Sequence, residues 1–217
     1  AFPDRPEFDI HAAMDPAKEV GGDFYDFFFI DRTNLCFLVA DVADKGVPAA
    51  LYMMVAKTLL KAEGQRLGEP EQILSCVNRV LAADNDSCMF TTVFCAILDT
   101  ESGEVRFANA GHNPPVLISG GQARSVPVRA GFVLGPMPDV LYTAERLILE
   151  RGDVLFLYTD GITEAKNRSE ELYGEAKSDG ELGVRVVRAA VPAPAVQSQQ
   201  VDPVGVDGVL LQQGVQS

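Results

Sequence analysis

Cysteine and histidine are scarce in this 217-residue chain, which has four cysteines and two histidines. Cys36, Cys76, Cys88 and Cys95 form no CxxC pair, so a Cys/His zinc site is not expected. Cys36 and Cys95 sit inside apolar, strand-like runs, where a free thiol behaves as a small hydrophobe. All four are expected to be reduced packing residues. Positive charge is also in deficit, with 18 Lys+Arg against 31 Asp+Glu and a net charge of −13. That balance argues against a surface built to neutralise nucleic-acid phosphates. An acidic protein can still take a phosphorylated partner, provided a cation sits between the two. No apolar run approaches the ~20 residues of a membrane-spanning helix. The opening AFPDRPEFD lacks the basic start and apolar stretch of a secretion signal. The expectation is a soluble, cytoplasmic chain with neither nucleic-acid nor membrane partners, and the Ala1 start suggests a piece of a longer protein.

What is present is enough for one sizeable core, since 47% of the residues are hydrophobic. Phe8–Met14, Phe24–Asp31 and Leu35–Val42 read as strands, the last two joined as a hairpin by the polar turn DRTN. A helix follows, with Pro48 in its first turn and Gly64 as its stop. Its apolar positions are Val47, Ala50, Leu51, Met54, Val55, Leu59 and Ala62. A second helix starts at Pro70, with Ile73, Leu74, Val77, Val80 and Leu81 on one face. Thr91–Asp99, Gly103–Gly111 and Pro114–Ser119 are strands, and Leu141–Gly161 gives two more around the turn Arg151–Asp153. Many antiparallel strands with two contiguous helices between them predict layered α+β; a doubly wound parallel sheet needs strict strand–helix alternation. After Tyr173 the chain has no aromatic residue, is rich in Val, Ala and Gln, and reads as poorly ordered apart from a short helix over Glu181–Ala190.

Three aspartates stand out by position. Asp23 follows a Gly-Gly pair at the start of a strand. Asp41 ends the apolar run LCFLVAD, just before the turn VADKG. Asp160 ends a second apolar run, VLFLYTD, and is followed by Gly161. A buried strand fixes a carboxylate, and a nearby glycine lets carbonyls and water approach, which is how hard-cation sites are built. Any one such aspartate can equally cap a turn or helix. Three of them at the ends of strongly apolar strands favour a shared site. Converging carboxylates would raise one another's pKa unless a cation neutralised them, and Mg²⁺ or Mn²⁺ matches an oxygen-only ligand set.

EVGGDFYD (Glu19–Asp26), VADVADKGVPAALYM (Val39–Met53), MFTTVFCAILD (Met89–Asp99), FANAGHNPP (Phe107–Pro115) and LYTDGITEA (Leu157–Ala165) occur in this order. Together they resemble the SpoIIE/RsbU-type branch of the PP2C-like, metal-dependent serine/threonine phosphatases (the PPM class), over residues 8 to 174. The resemblance implies a four-layer αββα sandwich of two antiparallel sheets flanked by helices, with two Mn²⁺ or Mg²⁺ ions at one edge. It makes Asp41 the bridging ligand, with the Val42 carbonyl, Asp160 and Asp23 as further ligands, and Asp41 and Asp160 the catalytic pair. The implied substrate is a phosphorylated STAS-domain protein, an anti-sigma factor antagonist. An upstream sensor domain in the full-length protein and a homodimer are further implied partners. Such chemistry needs no side-chain nucleophile, because two ions ~3.5–4 Å apart activate a water and neutralise phosphoryl charge.

Lys45, Gly46, Gly161 and His112 are the candidates for contact with substrate. His112 in AGHNPP could donate a proton to the leaving oxygen, although a histidine beside Asn113 and two prolines more often orders a tight loop. Lys45 could meet substrate phosphate but more often such a residue is a solvated turn lysine, His11 reads as an ordinary strand residue, and the Met53–Met54 face reads as packing. The division expected is a phosphatase domain over 1–175 and an atypical tail over 176–217. Members of this branch end in an Asp-Asp-x-Thr motif on a core strand, and no Asp-Asp pair follows here. Asp202 and Asp207 are the late aspartates, and VDGVLL is the nearer substitute. A missing carboxylate and a missing core strand would weaken catalysis. The alternative is therefore a docking module that binds its partner without turnover. A metal-dependent nuclease is disfavoured by the lack of a basic track.

Overall fold

The computed structural model describes residues 8–14, 21–83, 85–159 and 208–213. In chain order these form β1 (Phe8–Ala13), β2 (Phe24–Phe29), β3 (Asn34–Val42), α1 (Val47–Leu67), α2 (Pro70–Ala83) and β4 (Thr91–Asp99). Next come β5 (Glu104–Ala110), β6 (Val116–Ser119), β7 (Gln122–Ser125), β8 (Glu145–Ile148), β9 (Val154–Tyr158) and β10 (Gly208–Gln213). They make two five-stranded sheets, one in the order β1-β10-β9-β6-β7 and the other β2-β3-β4-β5-β8. The pairings are antiparallel throughout.

The turn expected at DRTN closes the β2–β3 hairpin. Asp31 Oδ1 accepts from the backbone N–H of Thr33 at 2.9 Å and of Asn34 at 2.8 Å. Those bonds favour the ionised carboxylate and hold its pKa down at about 2. β3 is apolar at every position from Leu35 to Ala40 because both of its faces are covered. Leu35, Phe37 and Val39 join Phe94, Phe107, Leu117, Leu155 and Leu157 in the core between the sheets. Cys36, Leu38, Ala40 and Val42 join Leu60, Ile73, Leu74 and Val77 under the helices. The strand period of two therefore feeds two separate cores from one strand. Both helices lie against the β2–β5 sheet, so the described residues supply three layers of the expected sandwich.

Several expectations are corrected. α1 does not stop at Gly64 but runs on to Leu67 and is capped by Gly68, whose φ is 68°. Gly64 is buried inside the helix, where a Cβ would lie 2.6 Å from the Phe28 ring, so its role is close packing. The core-facing stripe of α1 is Ala49, Ala56, Leu60 and Gly64, whereas Val47, Leu51, Met54 and Val55 are more than half exposed. Small residues let this helix lie close to the sheet, and apolar spacing alone selected the other face. On α2, Val80 is likewise exposed, and the buried stripe includes Asn78. The two strands expected around Arg151–Asp153 are present as β8 and β9, and they belong to different sheets, β8 pairing with β5 and β9 with β6 and β10. Cys88 is exposed and so is not a packing residue, whereas Cys36 and Cys95 are buried; all four thiols are free.

The expected loss of a core strand is also overturned. Gly208–Gln213 forms β10 between β1 and β9, with Gly208 opposite both Ala13 and Tyr158. That part of the expected tail belongs to the sheet. The helix read at Glu181–Ala190 lies outside the described residues. No helix among the described residues is long and apolar enough to cross a membrane.

Candidate active site

The C-terminal end of β3 carries Asp41. Its odd-numbered neighbours Leu35, Phe37 and Val39 face the other sheet, so strand alternation sets Asp41 on that same face, at the rim of the inter-sheet core. Asp41 pairs in register with Thr92 of β4. Its carbonyl accepts from Thr91 Oγ1 at 2.8 Å. Thr91 is held in turn by a two-bond bridge to Leu134, with N···O distances of 3.1 and 2.9 Å.

The segment around Leu134 is fixed by two asparagines that the sequence reading passed over. Asn78 donates to the carbonyls of Met137 (2.7 Å) and Pro138 (3.2 Å) and accepts from Gly135 N–H at 2.9 Å. Asn85 donates to the Met89 and Gly135 carbonyls and accepts from Met89 N–H. The available signal was Asn78 itself, a polar side chain in the apolar stripe Ile73, Leu74, Val77, Leu81.

Asp23, just before β2, lies at the same rim. Its Oδ2 accepts from Thr159 Oγ1 at 3.0 Å, and Thr159 is buried immediately after β9. Beside it, Gly22 packs on Val42, where a Cβ would lie 2.7 Å from the carbonyl oxygen. Only a residue without a side chain lets these backbones meet. Gly22–Asp23 from one segment and Asp41–Val42 from another are thus neighbours. Asp160 and Gly161 lie outside the described residues; Asp160 is the next residue in the chain after Thr159.

His112 is 6% exposed. Its Nδ1 is 2.8 Å from Thr92 Oγ1 and its Nε2 is 3.1 Å from the Tyr158 carbonyl. Asn109 clamps the loop, donating to the His112 carbonyl and accepting from its N–H, both at 2.9 Å. Burial pushes the imidazole pKa down to about 4, against the opposing pulls of the Tyr158 carbonyl and the Asp23 charge. Lys45 is exposed in the turn after β3, where its N–H donates to Asp44 Oδ1 at 2.9 Å. Asp44 has φ 80° and Gly46 φ 90°, and Gly46 opens α1, its carbonyl accepting from Ala50 N–H.

Among the described residues no group of three or more His, Cys, Asp or Glu side chains is placed to hold a metal ion. What the rim does offer is two carboxylates and one backbone carbonyl, all oxygen donors. That set fits Mg²⁺ or Mn²⁺ and does not suit zinc in a thiolate cage.

The two packed antiparallel sheets, with two helices between their strands in sequence, have the PP2C-like fold. The structure of the SiaA PP2C domain of Pseudomonas aeruginosa superimposes with a TM-score of 0.66 at 23% identity, over 77% of this chain and 67% of that one. The RsbU and RsbW domains of a Mycobacterium tuberculosis protein match with a TM-score of 0.64 at 28% identity, over 75% of this chain and 47% of that one. Residues 31–195 match the family described as Stage II sporulation protein E (SpoIIE), and the chain belongs to that family. It is 34% identical to the phosphoserine phosphatase RsbU of Bacillus subtilis over 168 residues, which is 77% of this chain and 50% of RsbU. The chain spans a third to a half of the length of the curated relatives it matches.

Proposed function

We propose that this chain is the catalytic domain of a metal-dependent protein serine/threonine phosphatase that removes phosphate from a regulatory phosphoprotein. The observation that carries the reading is the meeting of Gly22–Asp23 with Asp41–Val42 and Thr159 at one rim of the sandwich. Asp23, Asp41 and Asp160, with the Val42 carbonyl, would hold the ions. When bound, a pair of Mn²⁺ or Mg²⁺ ions supplies the Lewis acidity and positive charge that phosphate-ester hydrolysis needs. The remaining tasks fall to the chain itself. Thr91 bonds the Asp41 carbonyl, the ladder sets Asp41 opposite Thr92, and Thr159 orients the Asp23 carboxylate. Lys45, exposed just past Asp41, is available to the phosphoryl group or its peptide. The net charge of −13 repels free phosphate, so substrate entry depends on cations reversing the local sign.

The substrate class we favour is a phosphoserine or phosphothreonine on a STAS-domain anti-sigma factor antagonist, in the cytoplasm. The likeness to RsbU supports it. Because those relatives are longer, an upstream sensor domain is part of the proposal, as is a homodimer. The test is phosphate release from a phosphopeptide or p-nitrophenyl phosphate with and without Mn²⁺. Release should require the metal and fall at least 100-fold in Asp41→Ala. Binding of the partner protein with no release at saturating Mn²⁺ would instead identify a docking module.

A further inference from the structure

The geometry points to His112 as a positioning residue: the bridge Thr92–His112–Tyr158 sets how far the Asp41 end of one sheet stands from the β9 end of the other. This deepens the proposed function and rests on it, since that separation fixes the spacing of the carboxylates that would hold the cations.

The core between the sheets is built from Leu35, Phe37, Val39, Phe94, Phe107, Leu155 and other apolar side chains. Apolar contact is non-directional and tolerates small sliding of one layer over the other. A metal pair does not tolerate it, because its ligand distances are fixed within tenths of an ångström. Something directional must therefore align the two layers at the rim. His112 is suited to do so. Thr92 belongs to the β2–β5 sheet and sits in register with Asp41. Tyr158 is the last residue of β9 in the other sheet and stands two positions before Asp160.

Chemistry fixes the proton positions. The Tyr158 carbonyl can only accept, so His112 Nε2 carries a hydrogen; Nδ1 is then the acceptor for the Thr92 hydroxyl, at 3.1 and 2.8 Å respectively. Both ring nitrogens are engaged, the ring is buried, and Asn109 fixes the backbone on either side. A ring held this way has no free nitrogen to offer a leaving oxygen. It acts through Asp41 and the end of β9. The bond from Thr159 to Asp23 is a second tie across the same rim.

The experiment compares the full chain with His112→Ala, Thr92→Val, the double variant and the conservative His112→Gln, which retains a donor for Tyr158. Three readouts are taken: Mn²⁺ affinity and Mn–Mn spin coupling by electron paramagnetic resonance, amide exchange at residues 92–94 and 155–158 in metal-free protein, and Tm. Expected are at least tenfold weaker Mn²⁺ binding with altered coupling in either single variant, and no further loss in the double. Exchange at 155–158 should speed up, and His112→Gln should recover part of the affinity. A purely structural role would lower Tm while leaving Mn²⁺ affinity and coupling unchanged in the folded protein, and that result overturns the proposal. So do strictly additive effects of the two variants. If the unaltered chain binds no Mn²⁺, the phosphatase reading fails by itself. The exchange comparison then still decides the bridge, which is refuted if 155–158 exchange alike in all variants.

Discussion

Lowering the pH should unfold this protein through His112 before most of its carboxylates matter. The imidazole, ordinarily at 6.5, is pushed down to about 4 by burial. The unfolded chain therefore binds a proton between pH 6.5 and 4 that the folded chain refuses. With more protons on the unfolded side, stability falls as pH falls. The contribution is fully present above about pH 6.5, is lost progressively below it, and is gone by about pH 4. A 2.5-unit gap at 1.36 kcal/mol per unit predicts a loss of about 2 kcal/mol by pH 5 and about 3 kcal/mol by pH 4. The assay is urea unfolding of chelator-treated protein at pH 7, 6, 5 and 4, for the chain and for His112→Gln. The carboxylates are common to both chains, so the difference between the two curves isolates the histidine. Parallel curves from pH 7 to 4 would refute the argument, because they would mean the ring takes up its proton in place or is not buried in solution.

Two further substitutions probe the scaffold of the site. Gly22→Ala places a methyl 2.7 Å from the Val42 carbonyl oxygen and 3.2 Å from its Cβ, so one backbone must retreat; we expect about 1–3 kcal/mol of destabilisation and Mn²⁺ binding weakened at least tenfold by titration. Asn78→Ala removes three hydrogen bonds to Gly135, Met137 and Pro138 and leaves those backbone groups unpaired; we expect a loss of about 2–4 kcal/mol in chemical denaturation, and a loss under 1 kcal/mol would mean water replaces the side chain.

The strands were legible because their two faces are both apolar or alternate cleanly. Leu35–Val42 and Thr91–Asp99 each read as one strand, and each is one. The helix α1 was legible as a helix but not in its orientation. A face made of Ala49, Ala56 and Gly64 scores as weakly apolar, yet it is the one that fits, because closeness to Phe28 matters more there than side-chain area. β7 gave no signal, since its four residues are all exposed and its pairing with β6 depends on a neighbour, not on its own pattern. β10 was the larger miss. Its short run Gly208–Gln213 has too little periodicity to declare a strand, and its place is decided by two edges, β1 and β9, that would otherwise lack a partner between them.

The site divides in the same way. Aspartates at the ends of apolar runs could be picked out because a charge there is costly unless it has a purpose. The residues that hold them could not, because threonine, asparagine and a loop histidine are common on any surface. Their roles come from pairings that only the folded chain creates: Asp41 with Thr92 across a ladder, Thr92 with His112 at a distance of twenty residues, and Asp23 with Thr159 at 136. The rim is thus an acidic pair of strand ends held in place by neutral hydrogen-bond donors. This arrangement suits an anionic substrate. Thr159 fixes the Asp23 carboxylate and Thr91 the Asp41 backbone without neutralising either charge, which would leave both to the proposed divalent cations. A cationic side chain bonded to Asp23 in the place of Thr159 would instead compete with that cation for the carboxylate. Thr159→Val, which keeps the buried volume and removes the donor to Asp23, should accordingly weaken Mn²⁺ binding more than Thr159→Ser, which keeps the hydroxyl, an ordering that titration of the two variants can reverse or uphold.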